Sequence, residues 1–392
     1  MKDRSAALPG VRAMRIGMGV PSLGFSGGIE KHARDLARAL GARGHRVTLL
    51  HGARGGRDVD DYVRVFADVR SVSAPGAARD FDVVYQHRAA DVRELAPFGD
   101  RPVVVATHDH DHTCVRSHRY LPVGGEPCHR PPGLACIAHG CVVVRDRAPG
   151  ARLPLAVRSP FALRARLREL ARRAPLIACS RYVADNVERA GVAPGRVHVV
   201  HPIPPEPDAP VRPRPLDGRL LAAGQLLRGK GIDLAIQALC YLPGNVSLDI
   251  VGDGSARADL ERLARTLHPG RVAFSGYVAP EAVREHYDRA TIVVVPSRWP
   301  EPFGMIGVEA MQRARPVVGA RHGGIPEWLE EGRGGRLFEP GSASSLASAV
   351  LSLLDDPGAG DRALAFARER FHHARTVDAV EQILATVARG DA

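Results

Sequence analysis

Residues 298–311 read RWPEPFGMIGVEAM, and the parsing of this stretch decides how the chain around it is read. Glu301 stands between Pro300 and Pro302. A residue that precedes proline is pushed out of the helical region into extended backbone, so Glu301 is expected in a stiff loop. Gly304 then frees the chain, and a helix is expected from near Met305 to about Ala314, before Pro316. Glu309 falls in its second turn. The preceding run TIVVVPS (291–297) has the unbroken β-branched character of a strand buried on both faces. Strand, rigid loop and helix start are the parts of a parallel α/β unit. Such a helix start offers unpaired N–H groups and a positive dipole end, which suit a diphosphate. Two carboxylates beside an anion site need another task, and accepting hydrogen bonds from sugar or ribose hydroxyls is one. A plain turn followed by a helix-surface glutamate is the bland alternative.

The same rhythm runs in both directions. Upstream, MRIGMGV (14–20), HRVTLLH (45–51), FDVVYQH (81–87), RPVVVATH (101–108), PLIACS (175–180) and RVHVVHP (196–202) read as strands. KHARDLARALGARG (31–44) reads as a helix with Leu36 and Leu40 on one face. HPIPPEPDAPVRPRPLDG (201–218) then interrupts with seven prolines from Pro202 to Pro215, a composition that suits a semi-rigid linker. Alternation restarts at GRLLAAG (218–224), with strands at VSLDIVGDG (246–254), RVAFSG (271–276), RPVVGA (315–320) and GGRLFEP (334–340). Helices are expected at DLAIQALCYL (233–242) and ARADLERLARTL (256–267), and again from near Ser344 and Asp361. The fold class is α/β, with doubly wound domains at 1–202 and 217–372, a linker at 203–216, and a helix at 373–392 able to pack back on the first domain. Ligands of such sheets bind outside the carboxyl ends of the strands, so the cleft between the domains is the expected site.

The bulk composition narrows the function classes. At 392 residues the chain is too long for one ordinary core, and its 45% apolar and 25% charged residues suit a globular protein. No apolar run approaches the roughly 20 residues of a membrane span. The stretch MKDRSAALPGVRAM lacks an apolar signal core, so a cytoplasmic location is expected. Residues 1–200 hold 32 Lys+Arg against 19 Asp+Glu, and the remainder 22 against 24, so the net charge of +11 resides in the first half. A basic half suits an anionic partner. An aromatic content of 5% argues against a base-stacking nucleic-acid platform. VRSPFALRARLRELARRAP (157–175) places Leu163, Leu167 and Leu170 at helical spacing among arginines. It reads as a packed helix with a solvated Arg face or as one resting on anionic lipid, a peripheral contact at the inner face of the membrane.

The E-x7-E spacing after PS, Glu301 to Glu309, resembles the signature of retaining glycosyltransferases of family GT4, which have the GT-B fold of two Rossmann-like domains facing a central cleft. RPVVGARHGGIPEWLEEGRGGRLFEPGS, VGDGS (251–255), VAFSGYV (272–278) and VPSLGFSGGIEKHARDLARALGARGHRVTLL resemble the same family, so the resemblance covers about residues 14 to 390. It implies a retaining hexosyltransferase that moves a sugar from a UDP- or GDP-sugar to a hydroxyl of a glycan or glycolipid, in cell-envelope glycan, glycolipid or polysaccharide synthesis. It implies that Glu309 binds ribose and that Glu301 contacts hydroxyls of the transferred sugar. Backbone N–H groups near Phe303, Gly304 and Met305 would support pyrophosphate or sugar.

The family's Gly-Arg-Leu…Lys-Gly stretch, whose cations neutralise the departing diphosphate, reads here GQLLRGKG (224–231). Lys230 matches. Gln225 stands at the Arg position, where an amide supplies a hydrogen bond without charge, and Arg228 in the same loop is the candidate replacement. The chain has only three lysines, Lys2, Lys31 and Lys230, so a lysine kept inside a motif speaks for its compact ammonium, although a solvated loop cation is the alternative. The family needs no catalytic metal, and a cationic side chain takes the role of Mg²⁺ in stabilising charge. In the first domain Gly27 and Gly28 form a strand-to-helix turn assigned to donor binding. His108, at the end of the strand VVVAT, resembles the family's histidine facing the transferred sugar. Glu301, Lys230 and His108 are the catalytic candidates. A sugar-nucleotide epimerase of the same fold and a non-catalytic sugar-nucleotide-binding protein are the rival readings.

Residues 108–141 are unlike the rest. They hold four of the six cysteines, Cys114, Cys128, Cys136 and Cys141, among several histidines. In a cytoplasmic chain this suggests a structural Zn²⁺ more than disulfides, though gaps of 13, 7 and 4 residues without a CxxC pair leave reduced thiols or a disulfide open. The resemblance implies an acceptor-side lid here. Cys179 and Cys240 lie in apolar runs and are expected as core thiols.

Overall fold

Short Val/Ile/Leu runs without alternation bury both faces, and parallel strands joined by crossover helices satisfy that demand. The computed structural model describes residues 8–74, 76–145, 155–204 and 210–391. The chain divides into two compact units, Met1–Ile203 with Ala374–Ala392, and Pro204–His373.

In the first unit the strands are β1 (Arg15–Leu23), β2 (Arg46–Gly55), β3 (Asp68–Ser71), β4 (Val83–His87), β5 (Val103–Thr107), β6 (Val143–Arg145), β7 (Leu155–Val157), β8 (Leu176–Ala178) and β9 (Val197–Val199). Seven of them form one sheet in the order β3-β2-β1-β4-β5-β8-β9. All of its pairings are parallel. The chain winds outward from β1 and returns to β4 on the other side, which places the topological switch point at the carboxyl ends of β1 and β4. The helix Gly28–Ala42 buries Leu36 and Leu40 against this sheet. The helix His373–Arg389 adds Val377, Val380 and Leu384 to the same core. A buried polar knot fastens it: the Arg43 guanidinium donates to Glu381 at 2.5 Å and Asp378 at 2.6 Å, and His45 Nε2 donates to Glu381 at 2.7 Å.

The second unit holds β10 (Arg219–Ala223), β11 (Ser247–Val251), β12 (Val272–Gly276), β13 (Ile292–Val295), β14 (Val317–Ala320) and β15 (Gly335–Phe338). Their order is β12-β11-β10-β13-β14-β15, again all parallel, with the switch point between β10 and β13. Of the expected linker, residues 205–209 lie outside the described residues. Of its described residues, Ile203 packs in the core of the first unit, and those from Pro210 on are tied to the second. Arg315 is fully buried and donates to the carbonyls of Tyr287, Asp288, Arg212 and Pro213. Arg214 donates to those of Leu353 and Asp356, each at 2.8 Å. Prolines leave neighbouring carbonyls without a ladder, and these guanidinium forks supply the missing donors.

Some elements differ from expectation. The helix after Gly304 runs Met305–Gln312, ending short of Ala314, which turns left-handed at φ 56. The antiparallel ribbon β6–β7 does not follow from the sequence pattern, because Leu155 and Val157 are exposed and Val144 alone is buried, too little to impose an alternation. Cys240 is exposed rather than a core thiol, since a single 3₁₀ turn at Leu239–Tyr241 rotates it outward. Among the described residues no helix is long and apolar enough to cross a membrane.

Candidate functional site

The loops that follow β10 and β13 bring Lys230 and Glu301 together. Lys230 Nζ donates to both carboxylate oxygens of Glu301, at 2.8 and 3.0 Å. Ser297 Oγ donates a further short hydrogen bond to Glu301. His322, buried beneath, donates from Nε2 to the Ser297 carbonyl at 2.8 Å. Burial alone would raise the Glu301 pKa, but the Lys230 charge and hydrogen bond, with Ser297 and His322, hold it below the ordinary carboxylate value. Lys230 also lies 5.9 Å from the centre of the Trp299 ring. Glu301 is thus an ionised, oriented acceptor, and Lys230 a positioned cation with part of its surface in solvent.

Close backbone packing explains the glycines of these loops. A Cβ on Gly231, at φ 65, would lie 2.0 Å from the Pro296 carbonyl oxygen. A Cβ on Gly229 would run into the Trp299 ring, while the Gly229 carbonyl accepts from the amides of Arg298 and Trp299. Gly324 N–H donates to the Glu301 carbonyl at 2.8 Å, and Gly323, at φ 64, presses on the Glu301 backbone. The Trp328 indole donates to the Phe303 carbonyl at 2.6 Å and roofs Gly307. Segment 300–304 is therefore held from both sides, as its proline frame requires.

Glu309, half-buried on its helix, pairs elsewhere: Tyr287 Oη donates to it at 2.9 Å. Burial, then the Glu309 charge and hydrogen bond, push the Tyr287 phenol well above its ordinary range, so it remains a donor. Phe303 is buried, with its ring 6.2 Å from that of Phe371, and Gly304 and Met305 open the helix N-terminus. Gln225 and Arg228 are exposed in the loop before Lys230. Leu226 threads that loop onto the VGDGS turn, donating to the Asp253 carbonyl at 2.9 Å. Ser297, His322, Tyr287 and Trp328 were not singled out from the sequence. His322 sits inside the quoted RHGG stretch, but only its contact with Ser297 marks it.

At the switch point of the first unit, Gly27 and Gly28 are exposed at the start of the helix Gly28–Ala42, and a Cβ on Gly28 would meet nothing within 4 Å among the described residues. His108, after β5, meets His87, the last residue of β4: His87 Nδ1 and His108 Nε2 are 2.9 Å apart with stacked rings. His32 stands edge-on to both, its ring centre 5.5 Å from that of His87 and 5.2 Å from that of His108. Burial, reinforced at His32 by the Lys31 charge and at His87 and His108 by mutual repulsion among the imidazoles were they to protonate, lowers the pKa of all three, that of His32 to about 3. Arg88, in the left-handed region at φ 70, bonds Asp111 at 2.8 Å and lies 3.3 Å from Asp109. Burial and the Asp111 charge raise the Asp109 pKa.

Among the described residues the three histidines alone have metal-ligand spacing, with nitrogens within 4.8 Å of one another. Yet His32 Nδ1 accepts the Ile203 N–H at 3.0 Å, so its proton sits on Nε2 and the neutral ring has no lone pair left for a cation. No three of the insert's four cysteines, the donor set expected for a Zn-type ion, reach that spacing. All are free thiols. Burial, and then Cys136, Cys114 and Cys128, push the Cys141 thiol up to about 11. Arg119, fully buried, knits the insert through the carbonyls of Cys128, Thr113 and Arg130, each at 3.0 Å, while its own N–H reaches Cys114 Sγ at 3.4 Å.

Two family models match the two halves of the chain. Residues 26–203 match the model described as Glycosyltransferase Family 4, and residues 213–370 that described as Glycosyl transferases group 1. The chain is 34% identical over 196 residues to glycogen synthase of Mycobacterium tuberculosis, covering 47% of this chain and 46% of that protein. It is 34% identical over 154 residues to alpha-D-kanosaminyltransferase of Streptomyces kanamyceticus, covering 38% and 39%. The alignments thus span about half the length of the curated relatives or less. Among solved structures, Anabaena Alr3699/HepE in complex with UDP-glucose superposes with a TM-score of 0.70 at 21% identity, over 96% of this chain and 100% of that one. That likeness concerns the fold.

Proposed function

The chain belongs to glycosyltransferase family 4 and has the GT-B fold, and from that premise we propose that it moves a glycosyl group from a nucleoside-diphosphate sugar to an acceptor hydroxyl with retention of configuration. The observation that carries this reading is the Lys230–Glu301 pair at the switch point of the second unit, beside the start of the helix Met305–Gln312. Lys230 and the helix N–H groups near Phe303, Gly304 and Met305 take the diphosphate, and Lys230 stabilises the charge that grows as it leaves. Glu301, ionised and aimed, takes hydroxyls of the sugar. Glu309, steadied by Tyr287, takes the ribose. Gln225 and Arg228, on the exposed rim of the same loop, complete the phosphate side. Uridine is the proposed base, a choice supported by the neighbour whose structure holds UDP-glucose.

We assign acceptor recognition to the first unit, in which His108 is the proposed contact to the transferred sugar and the Gly27–Gly28 turn the proposed contact to the donor. A glycan or glycolipid is the proposed acceptor. Supporting the lipid form, Leu155, Val157 and Phe161 are exposed and flank the exposed Arg158 in sequence, an apolar edge with a cation that suits an anionic membrane surface. The test is a panel of UDP- and GDP-sugars with and without acceptor lipids in anionic vesicles, read as released nucleoside diphosphate and as labelled product. Diphosphate release with label in the lipid supports the reading. An altered sugar nucleotide without release identifies an epimerase, and binding without either identifies a non-catalytic protein. Both of those outcomes overturn it.

A further inference from the structure

The His87–His108 contact has two neutral forms, and they differ in what His108 offers a ligand. His87 is fully buried, its ring packed 4.4 Å from that of Tyr85, and its Nε2 has no hydrogen-bond partner among the described residues. Its Nδ1 faces His108 Nε2 at 2.9 Å. If His108 donated, the His87 proton would sit on Nε2, a buried N–H with nothing to accept it. If His87 donates, only a bare lone pair is left unpartnered in its buried surroundings. Orphaned buried N–H groups are rarer in proteins than under-satisfied acceptors, so the second form is favoured. The proton of His108 is then on Nδ1, the nitrogen that meets no partner among the described residues of its half-buried ring.

We infer that His87 is a positioning residue that locks His108 in the Nδ1–H tautomer, so that His108 serves the site as a hydrogen-bond donor to a ligand oxygen and not as a general base. The inference rests on the placement of His108 in the proposed site. The lone pair that a base would need, on Nε2, is occupied by the His87 proton. His32 reinforces the arrangement: its Nδ1 accepts the Ile203 N–H, so it brings to the cluster a fixed N–H and no free lone pair. The chain at the end of the first-unit sheet therefore ends in a donor. A sugar hydroxyl oxygen or a phosphate oxygen is the class of atom it recognises, through the acceptor's lone pair.

The test reads the tautomer directly. Full-length protein with ¹⁵N-histidine is examined at neutral pH, with His108→Gln identifying the His108 signals. In the wild type, Nδ1 of His108 is expected at the protonated shift and Nε2 at the bare, hydrogen-bonded shift. His87→Phe keeps an aromatic ring in the pocket but removes the donor, and His108 is expected to lose this pattern. His87→Asn restores an N–H near Nδ1 and is expected to restore it. In sugar transfer, His87→Phe is expected to lower kcat about tenfold with less effect on the donor KM, with partial recovery in His87→Asn. A wild-type His108 protonated on Nε2, or a His108 pattern untouched by His87→Phe, would overturn the inference. The spectra need no substrate, so they separate this outcome from a failure of the transferase reading.

Discussion

The second unit gathers full charges at its switch point, an ammonium and a carboxylate 2.8 Å apart between the loops of β10 and β13. The first unit, wound in the same order about β1 and β4, sets beside the Arg88–Asp111 ion pair three imidazoles that burial keeps neutral. The fold explains why both clusters sit where they do, since each loop leaves the carboxyl end of a strand flanking the reversal. It does not explain their opposite chemistry, which lies in the loop residues alone. Departing phosphate needs a charge to meet it, whereas holding a neutral hydroxyl needs only oriented donors and acceptors.

Removing the charge from the second unit should have the largest effect. Lys230→Ala is expected to lower kcat by about 10² to 10³, the size of loss seen when one oriented donor to a developing anion is deleted. It also removes the main charge that opposes burial at Glu301, so its pKa should rise, with only Ser297 and His322 left to hold it down, at a cost of about 3 kcal/mol in stability. Lys230→Ala combined with Glu301→Gln should recover the stability but not the turnover. Thermal unfolding and initial rates on the three proteins decide this. If Lys230→Ala transfers sugar at the wild-type rate, the contrast between the two crevices has no functional meaning.

Both members of that charged pair were singled out in the sequence, though not their contact; of the imidazole cluster only His108 was. Glu301 is marked by its flanking prolines, and Lys230 by the scarcity of lysine. Each signal is local. His108 was found at the end of a strand, but its partners His32 and His87 lie on separate elements, and only the strand order brings them together. Glu309 was found by spacing, whereas Tyr287, which holds it, lies on a different helix, Val283–Arg289. The architecture itself was legible because uninterrupted apolar runs between helices permit few alternatives. The ribbon β6–β7 was not, since exposed strands need no periodicity.

Acid should separate the two units. His32 titrates near 3 in the fold against an ordinary 6.5, so below 6.5 the unfolded chain binds the extra proton. The stability tied to its neutral form is whole above pH 6.5 and declines as pH falls toward 3. For this one histidine the loss between pH 6.5 and 5 is about 2 kcal/mol, and His87 and His108, shifted the same way, add to it. Glu301 is shifted down from 4.5, so its contribution is whole above that value and is lost only below it. Between pH 6.5 and 5 the first unit should therefore weaken while the Glu301 pair does not. Hydrogen exchange of β1, β4 and β5 amides, corrected for the intrinsic rate, reads the first unit. Trp299 and Trp328 are the chain's two tryptophans, so their fluorescence reads the second. Loss of the tryptophan signal before the exchange protection would reverse the comparison.

The smallest expected effect tests whether orientation in the second unit depends on neutral hydrogen bonds as it does in the first. Tyr287→Phe removes one donor to Glu309, with its 2.9 Å bond, and leaves the carboxylate in place. A hydrogen bond to a charged group contributes about 1.5 kcal/mol at the low end, and part of it is replaced by water at this half-buried position. UDP affinity measured by calorimetry should fall about threefold to tenfold in Tyr287→Phe, against about 10- to 100-fold in Glu309→Ala, which removes the ribose acceptor itself. If Glu309→Ala binds UDP as tightly as the wild type, the Tyr287–Glu309 bond only braces two helices, and the nucleotide must find its ribose contact elsewhere. If Tyr287→Phe weakens binding as much as Glu309→Ala, the phenol is the element that matters. Glu309 would then be to Tyr287 what His108 is to His87, a ligand contact whose direction is set by the buried neighbour behind it.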